Sequence, residues 1–372
     1  MKKTLLVTLD FYPAIGGISH YWESLGKHMP ASRLLVCAPL LPSGTREIET
    51  SYKIFRVRMI SRFFFPRWAP LILKIISIAR REGIETIIAG QVLPVGTAVA
   101  VAARLLRIPY YVSVHGMDVA LPLRHPRKRA LCGRILHNAQ MVITNSEYTS
   151  QIVQQYGVSK DRIAFVFPCP WIIPAENETT VRASREKKEI ILLTVSRIVK
   201  RKGHEFVIRA LAQLRDFIPP FYYVIVGDGP ERSNLELLAQ TVGVSDRVLF
   251  TGAIQNEAVR QWYRKCDIAI LTPYDINGDV EGFGITYLEA NAFGKPVIAS
   301  RTGGVESAVI HEKTGLLVEP QNTEAIVQAV RRLCDDPRLA FSLGSFGKKR
   351  VEQQFQWSVQ AEHLIRLLDP IP

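Results

Sequence analysis

The sequence predicts an α/β protein of two domains, each with a parallel β-sheet covered by helices. The chain has 372 residues, of which 47% are hydrophobic. This length is sufficient for two hydrophobic cores and exceeds the usual length of a domain with a single core. Short apolar runs alternate with helical stretches from the first residues onward, as in parallel sheets. The alternation stops over Phe167–Glu189, where three prolines precede a mixed-charge stretch, and it restarts at Ile190. We therefore predict a linker over Phe167–Glu189.

Strands and helices alternate within both halves. In the first half the predicted strands are Leu5–Leu9, Leu34–Ala38, Thr86–Ala89, Tyr110–Val114 and Met141–Thr144, and the predicted helices are Ser19–His28, Pro70–Arg81, Thr97–Leu106 and Ser146–Gln155. In the second half the predicted strands are Ile190–Val195, Tyr222–Val226, Val248–Thr251, Ile268–Leu271 and Pro296–Ala299. The pattern predicts a first domain over residues 1–170 and a second over 171–356, followed by a helical stretch near Trp357–Leu367.

Composition narrows the class of protein. The formal net charge of +13 favours an anionic partner, which is a nucleic acid, an acidic membrane or a phosphorylated small molecule. Five scattered cysteines without a Cys-x-x-Cys pair predict reduced thiols in a cytoplasmic protein. The longest nearly apolar run, Val92–Ala103, contains Pro94 and Gly96 and is shorter than the ~20 residues that cross a bilayer. We expect no membrane span.

Two loops offer groups suited to a phosphorylated ligand. Gly16 and Gly17 follow the first predicted strand and precede a helix, so backbone can approach a ligand and the helix N-terminus can face a phosphate. Ser196–Gly203 follows the first strand of the second half, where Arg197 and Lys202 could hold a diphosphate. A plain tight turn and a solvated basic loop remain the alternative interpretations of these two segments.

A third segment carries two glutamates separated by glycines. Glu281 precedes a predicted helix that starts near Phe283, and Glu289 lies about two turns inside it. The glycines leave backbone N–H groups exposed at the start of this helix, and the carboxylates can accept hydrogen bonds from sugar and ribose hydroxyls. His115 closes a strand in the first half and is predicted to lie at the rim of its sheet.

Together these segments resemble the family-4 retaining glycosyltransferases of GT-B architecture, and the chain resembles the phosphatidylinositol mannosyltransferases in general layout. The resemblance covers nearly the whole chain and includes Gly16-Gly17, His115-Gly-x-Asp118, Ser196-Arg197 to Lys202-Gly203, Gly227-Asp228-Gly229-Pro230, Glu281-Gly-Phe-Gly-x4-Glu289, Gly294-Lys295-Pro296 and Gly303-Gly304-Val305-Glu306. It implies two Rossmann-like domains whose parallel sheets face a deep interdomain cleft. It also implies that the C-terminal helix, about 357–372, packs back on the first domain.

The resemblance assigns a role to each matched position. It implies that Arg197 and Lys202 hold the donor diphosphate and that Glu289 binds the ribose. His115 would lie near the reacting sugar, and Gly16 with Gly17 would face the diphosphate. The remaining donor-binding positions, toward the sugar and α-phosphate, are Glu281, Phe283, Gly284 and Ile285. The implied catalytic set is His115, Arg197, Lys202 and Glu281.

The implied reaction is transfer of a hexose from a nucleotide-diphosphate sugar, with retained configuration. We find no Asp-x-Asp motif for a divalent ion in the sequence, and Arg197 with Lys202 can neutralise the leaving diphosphate instead, so neither a metal nor another cofactor is expected. Mannose from a guanosine donor is favoured over uridine-linked sugars. A nucleotide-sugar epimerase or phosphorylase, or a non-catalytic binding protein, are the alternatives on this fold.

A basic segment with several aromatic residues, over 56–81, indicates which kind of acceptor receives the sugar. It carries Phe63, Phe64, Phe65 and Trp68 among cations and no acidic residue, which is typical of contact with an anionic membrane. Packing of these rings in the core is the competing interpretation. No nucleic-acid module is present. We therefore expect a lipid-linked or glycan acceptor and a peripheral position on the inner face of the cell membrane; the oligomeric state is left open.

Overall fold

The computed structural model describes residues 1–14, 16–175 and 189–369. The chain divides into two compact units: Met1–Pro168 with the C-terminal helix, and Cys169–Gln356. Residues 176–188 of the predicted linker lie outside the described residues. The predicted fold class is confirmed, because each unit is a parallel sheet covered by helices.

The first unit is built on a sheet with strand order β3-β2-β1-β4-β5-β6-β7. Every pairing in it is parallel. Alternate residues of the central strands enter different apolar clusters, as Leu5 and Leu6 do, which explains why these strands are continuous apolar runs. The strands are β1 (Thr4–Val7), β2 (Leu34–Pro39), β3 (Lys53–Val57), β4 (Thr86–Ala89), β5 (Tyr110–Val114), β6 (Met141–Thr144) and β7 (Ile163–Phe165).

Helices connect the consecutive strands of this sheet, as is usual for parallel pairing, except β2 and β3, which residues 40–52 join without a helix. Ser146 caps one of them by accepting the backbone N–H of Thr149 at 3.2 Å. The helices are α1 (Gly17–Lys27), α2 (Ala69–Glu82), α3 (Thr97–Leu106), α4 (Met117–Leu123), α5 (Pro126–Asn138) and α6 (Glu147–Gln154).

The second unit repeats this topology, with strand order β10-β9-β8-β11-β12-β13. Both sheets thus follow the Rossmann pattern, in which the strand order reverses beside the first strand. The strands are β8 (Ile190–Val195), β9 (Phe221–Val226), β10 (Val248–Gly252), β11 (Ile268–Leu271), β12 (Val297–Ser300) and β13 (Leu316–Val318). The helices are α7 (His204–Gln213), α8 (Arg232–Thr241), α9 (Asn256–Lys265), α10 (Ile285–Ala292), α11 (Val305–Ala308), α12 (Thr323–Asp335) and α13 (Pro337–Gln354).

The last helix, α14 (Trp357–Leu368), belongs to the first unit. Its apolar residues Ala361, Leu364 and Leu368 are fully buried in the same cluster as Tyr21 of α1. The Tyr111 hydroxyl donates to the Leu367 carbonyl at 2.9 Å. The described ranges contain no helix that is both long enough and apolar enough to cross a bilayer.

Three strands were missing from the sequence prediction: β3, β7 and β13. Each lies at an edge of its sheet. β7 and β13 are apolar but have only three residues each, which is too short for a clear strand pattern, whereas β3 carries polar residues and is less buried. The strand β3 holds Lys53 and Arg56 and has no fully buried residue.

Candidate active site

Lys202 and Glu281 form a close ion pair in the second unit. The Lys202 ammonium lies 2.5 Å from Glu281 Oε2, and Arg201 Nη1 donates to the same oxygen at 3.2 Å. The three side chains are only 12% to 15% exposed. Burial alone would raise the pKa of Glu281, but the two cations hold it below its ordinary value. The segment over Ser196–Gly203 is therefore more than a solvated basic loop, because two of its cations, Arg201 and Lys202, are largely shielded from water and paired with Glu281.

Gly203 fixes the position of Lys202. Its φ of +71° is left-handed, and a Cβ at this position would lie 2.0 Å from the Thr272 carbonyl oxygen. The Thr272 hydroxyl in turn donates to the Gly203 carbonyl at 3.2 Å. Because only glycine fits here, the backbone after Lys202 can lie directly against the end of β11.

Arg197 is held by its backbone while its side chain is exposed. The Ile198 N–H donates to the Asp228 carbonyl at 2.9 Å, and the Glu231 N–H donates to the Ile198 carbonyl at 3.2 Å. A Cβ at Gly227 or Gly229 would lie 2.0 to 2.2 Å from a carbonyl oxygen of the Arg197 loop. The two loops thus fit together only with glycines, and they present the Arg197 guanidinium at the carboxyl edge of the sheet.

The start of α10 provides backbone donors beside Glu281. Gly284 precedes the helix with φ +91°, and no side chain caps it, so N–H groups of the first turn, starting at Ile285, are available to an anion. A Cβ at Gly284 would lie 2.3 Å from the Tyr287 ring. Phe283 is 3% exposed and its ring lies 5.9 Å from that of Phe355, so only its backbone can reach a ligand.

Glu289 lies inside α10 and hydrogen-bonds within the protein. Its Oε2 accepts the Tyr263 hydroxyl at 2.9 Å, and its Oε1 accepts the N–H groups of Trp171 and Ile172 at 3.4 Å. It is 3% exposed, and burial raises its pKa to about 7 despite these hydrogen bonds. The ribose contact implied by the resemblance would therefore require Glu289 to exchange these partners for ribose hydroxyls.

The raised pKa of Glu289 predicts a pH effect on stability. The folded pKa of about 7 exceeds the ordinary 4.5, so folding favours the protonated acid and this contribution is lost as the pH rises from 4.5 through 7. Glu289→Gln resembles the protonated form. Thermal melting should therefore give similar midpoints at pH 5 and a variant that melts higher, by on the order of a few degrees, at pH 8. Parallel pH profiles for the two proteins would contradict this.

His115 follows β5 in the first unit. Its backbone N–H donates to Asp118 Oδ1 at 2.9 Å, and its ring packs edge-on against Tyr21 at 5.4 Å. Burial lowers the pKa of His115 to about 4, although a hydrogen bond with the Gly90 backbone opposes the shift. The imidazole is therefore neutral at pH 7, and it can accept or donate a hydrogen bond without carrying a positive charge.

Gly16 and Gly17 begin α1 in the same unit. Both are exposed, neither has a left-handed φ, and a Cβ at either would meet no atom within 4 Å. Internal packing and backbone conformation therefore do not require glycine here. The close approach of a diphosphate to this backbone, which the resemblance implies, would require it.

Sequence reasoning gave no role to two residues of these sites. Arg201 shares Glu281 with Lys202 and also pairs with Asp279 at 3.1 Å; its position beside Lys202 was the only signal. Tyr263 donates to Glu289 from α9, and no local pattern in the sequence indicates this contact. The candidate residues separate into Arg197, Lys202, Glu281, Phe283, Gly284, Ile285 and Glu289 in the second unit, and Gly16, Gly17 and His115 in the first.

Known families match both parts of the chain. Glycosyltransferase Family 4 matches residues 15–169, and the glycosyl transferases group 1 family matches residues 176–350. The GDP-mannose-dependent alpha-(1-6)-phosphatidylinositol monomannoside mannosyltransferase of Mycolicibacterium smegmatis is 32% identical over 98% of this chain and 97% of its own. The chain belongs to the family-4 glycosyltransferases. The predicted family and the predicted glycosyltransferase activity are both confirmed.

Further relatives agree with this assignment. The GDP-mannose-dependent monoacylated alpha-(1-6)-phosphatidylinositol monomannoside mannosyltransferase of Corynebacterium glutamicum is 28% identical over 100% of this chain and 99% of its own. Among solved structures, Anabaena HepE in complex with UDP superposes with a TM-score of 0.80 at 19% identity, covering 99% of this chain and 100% of that one. A glycosyltransferase from Rickettsia africae gives 0.82 at 18% identity, with full coverage of both chains. These structures share the GT-B fold.

Proposed function

We propose that this glycosyltransferase moves mannose from GDP-mannose to a hydroxyl of a membrane-associated glycolipid, with retention of configuration and without a metal ion. The Lys202–Glu281 pair carries the proposal, because it places a largely buried cation and a largely buried carboxylate at the start of α10. Relatives that match the whole chain are named GDP-mannose-dependent and act on phosphatidylinositol monomannoside. No comparison favours an epimerase or a non-catalytic protein.

In this proposal the second unit binds the donor diphosphate. Breaking the glycosidic bond to phosphate builds negative charge on the leaving diphosphate and positive charge on the sugar. Lys202, Arg197 and the N–H groups at the start of α10 stabilise the negative charge, while ionised Glu281 accepts sugar hydroxyls. Glu289 would exchange its internal partners for the ribose.

Fixed cations replace a divalent ion in this site. The Lys202 ammonium and the Arg197 guanidinium supply positive charge on side chains of the protein itself, so the leaving group needs no metal to neutralise it. Turnover is therefore expected to be unchanged, within about twofold, when EDTA is added to protein and substrates. A loss of activity that Mg²⁺ or Mn²⁺ restores would overturn metal independence.

Retention follows if the acceptor attacks the face from which the diphosphate departs. Glu281 is held by two cations and Glu289 by Tyr263, so neither carboxylate is placed to act as the nucleophile of a double displacement. We assign the acceptor proton to the leaving phosphate. Proton NMR of the product tests this, because an α-mannoside from the α-linked donor means retention and a β-mannoside means inversion.

The donor is tested by thermal stabilisation with nucleoside diphosphates. A ligand that binds only the folded protein raises its melting midpoint according to concentration over affinity, so GDP and GDP-mannose should give larger shifts than UDP or UDP-glucose at equal concentration. Product analysis with GDP-[¹⁴C]mannose and phosphatidylinositol monomannoside then tests the acceptor. Selective stabilisation by a uridine nucleotide would show that the donor is a uridine-linked sugar and not GDP-mannose. If the label appeared only in free mannose, the proposed lipid acceptor would be wrong.

A further inference from the structure

The loop between β3 and α2 exposes three consecutive aromatic rings. Phe63, Phe64 and Phe65 are 84%, 60% and 99% exposed. Core packing, the competing interpretation from the sequence, is therefore wrong for these three residues, while Trp68 does pack against the core of the first unit. Three adjacent rings in water are unfavourable unless a partner covers them.

The loop is ordered by contacts that leave the rings outside. The Ser61 N–H donates to the Arg67 carbonyl at 2.8 Å, and the Phe63 N–H donates to the Ser61 hydroxyl at 3.2 Å. Met59 and Ser61 are buried on the protein side. The base of the loop is thus closed on the domain, and its apolar tip projects away from it.

Basic residues flank this apolar tip in the sequence. Between Glu49 and Glu82 the sequence contains no acidic residue and eight cations: Lys53, Arg56, Arg58, Arg62, Arg67, Lys74, Arg80 and Arg81. Of these, Lys53 and Arg81 pair with Glu82, and Arg56 pairs with Glu47. Arg58, Arg62, Arg67 and Lys74 are exposed, and Leu73 on α2 is 70% exposed beside them. This combination of exposed rings and positive charge is complementary to an anionic bilayer, where rings settle at the headgroup level and cations meet phosphates.

The position of the loop connects it to the active-site elements of the first unit. All strands of the sheet are parallel, so the loop after β3 lies at the same edge as the Gly16-Gly17 loop and His115. β3 and β5 are four strand positions apart in the sheet, or roughly 19 Å. Arg56 at the end of β3 also donates to the Tyr12 carbonyl at 2.7 Å.

We propose that the loop over 58–67 inserts Phe63, Phe64 and Phe65 into an anionic lipid bilayer, while Arg58, Arg62, Arg67 and Lys74 contact lipid phosphates. This contact holds the carboxyl edge of the first sheet, and His115 with it, close to the membrane surface where a lipid acceptor exposes its hydroxyls. The inference rests on the proposed membrane-associated acceptor and adds to it the surface that makes the contact.

Vesicle binding by a loop variant tests this directly. Sedimentation with phosphatidylcholine vesicles that contain phosphatidylglycerol should show that Phe63→Ser/Phe64→Ser/Phe65→Ser weakens binding about tenfold or more. The matched control is Phe217→Ser/Phe341→Ser/Phe346→Ser, because these rings are 61% to 70% exposed and lie in the second unit. The control should bind vesicles like the unaltered protein.

Two further measurements separate this inference from the proposed function. The loop variant should keep its melting midpoint and its stabilisation by GDP, and should lose transfer only to acceptor held in vesicles, not to a water-soluble short-chain acceptor. Unaltered vesicle binding by the loop variant would overturn the inference and leave the transferase proposal intact. A loop variant that changes oligomeric state with unchanged vesicle binding would identify the surface as a protein interface instead. If the unaltered protein bound vesicles of phosphatidylcholine alone as well as vesicles that contain phosphatidylglycerol, the proposed contact between the basic residues and anionic lipids would be wrong.

Discussion

Replacing Lys202 with alanine is expected to lower kcat by on the order of 10²–10³-fold, the effect of removing one fixed donor from the charge that develops in a transition state. The Lys202 side chain is only 12% exposed and lies beside Glu281, so few water molecules can replace it in stabilising the charge of the leaving diphosphate. Affinity for the nucleoside diphosphate should fall as well, because Glu281 loses its nearest cation and repels the phosphates. Steady-state kinetics and calorimetry with the nucleotide measure the two effects.

Lys200→Ala is the matched control for this prediction. Lys200 lies two residues earlier, is exposed, and its removal changes the net charge by the same amount. If overall basicity attracted the donor, the two variants would behave alike. We expect Lys200→Ala to retain turnover within about threefold. Equal losses in the two variants, with melting midpoints preserved, would show that the Lys202–Glu281 pair has no special role.

The central strands of both sheets could be predicted from the sequence because they are buried on both faces. β4, β5, β6, β8 and β11 begin and end at the predicted residues. Three of the four edge strands could not be predicted in this way: β3 holds two cations among its five residues, and β7 and β13 have three residues each, whereas the edge strand β10, with five residues, was predicted. Pairing with a neighbouring strand stabilises these segments, and a local pattern does not record that pairing.

Site residues were predictable where a local constraint marks them. Gly203 and Gly284 adopt left-handed φ values, and Gly227 and Gly229 allow close backbone contact, so the glycines mark loops whose shape depends on them. Long-range partners were not predictable. The Tyr263 hydroxyl reaches Glu289 from 26 residues away, and Arg201 divides its guanidinium between Asp279 and Glu281. Only the packing of α9 and the 279–284 loop brings these groups together.

The basic segment over 56–81 shows a second limit of sequence reasoning. Arg56 looks like any other cation of the segment, yet it is 13% exposed and binds Glu47 through both carboxylate oxygens at 2.5 and 2.7 Å. Trp68 is partly buried, whereas the adjacent phenylalanines project outward. Cations and aromatic residues of this one segment therefore have different roles: some pack against the protein and others are exposed. The turn closed by Ser61 and Arg67 decides which rings are exposed, and the sequence alone does not show this turn.

Glu281→Gln is expected to reduce kcat by about 10²-fold while nucleoside diphosphate binding stays equal or becomes tighter. Glutamine keeps the size of the side chain but removes the negative charge that neutralises Lys202 and Arg201 in the free enzyme. In the variant the donor diphosphate becomes the principal counter-charge, so the cations are more available to it. Turnover falls because the sugar hydroxyls lose an ionised acceptor, and hydrogen bonds to charged groups are stronger than those to neutral ones.

Asp279→Asn controls for the loss of a negative charge in the same loop. Asp279 also pairs with Arg201, but it is 52% exposed, and we expect its removal to leave kcat within about threefold. The pKa of Glu281 is held below its ordinary value, so the unaltered enzyme keeps this carboxylate ionised near pH 7 and Glu281 cannot serve as a proton donor there. The two partners of one ion pair thus give opposite results with the nucleotide: Lys202→Ala weakens binding and Glu281→Gln does not. If both variants weakened nucleotide binding equally, the pair would have a structural role, and the donor diphosphate would have to bind elsewhere in the second unit.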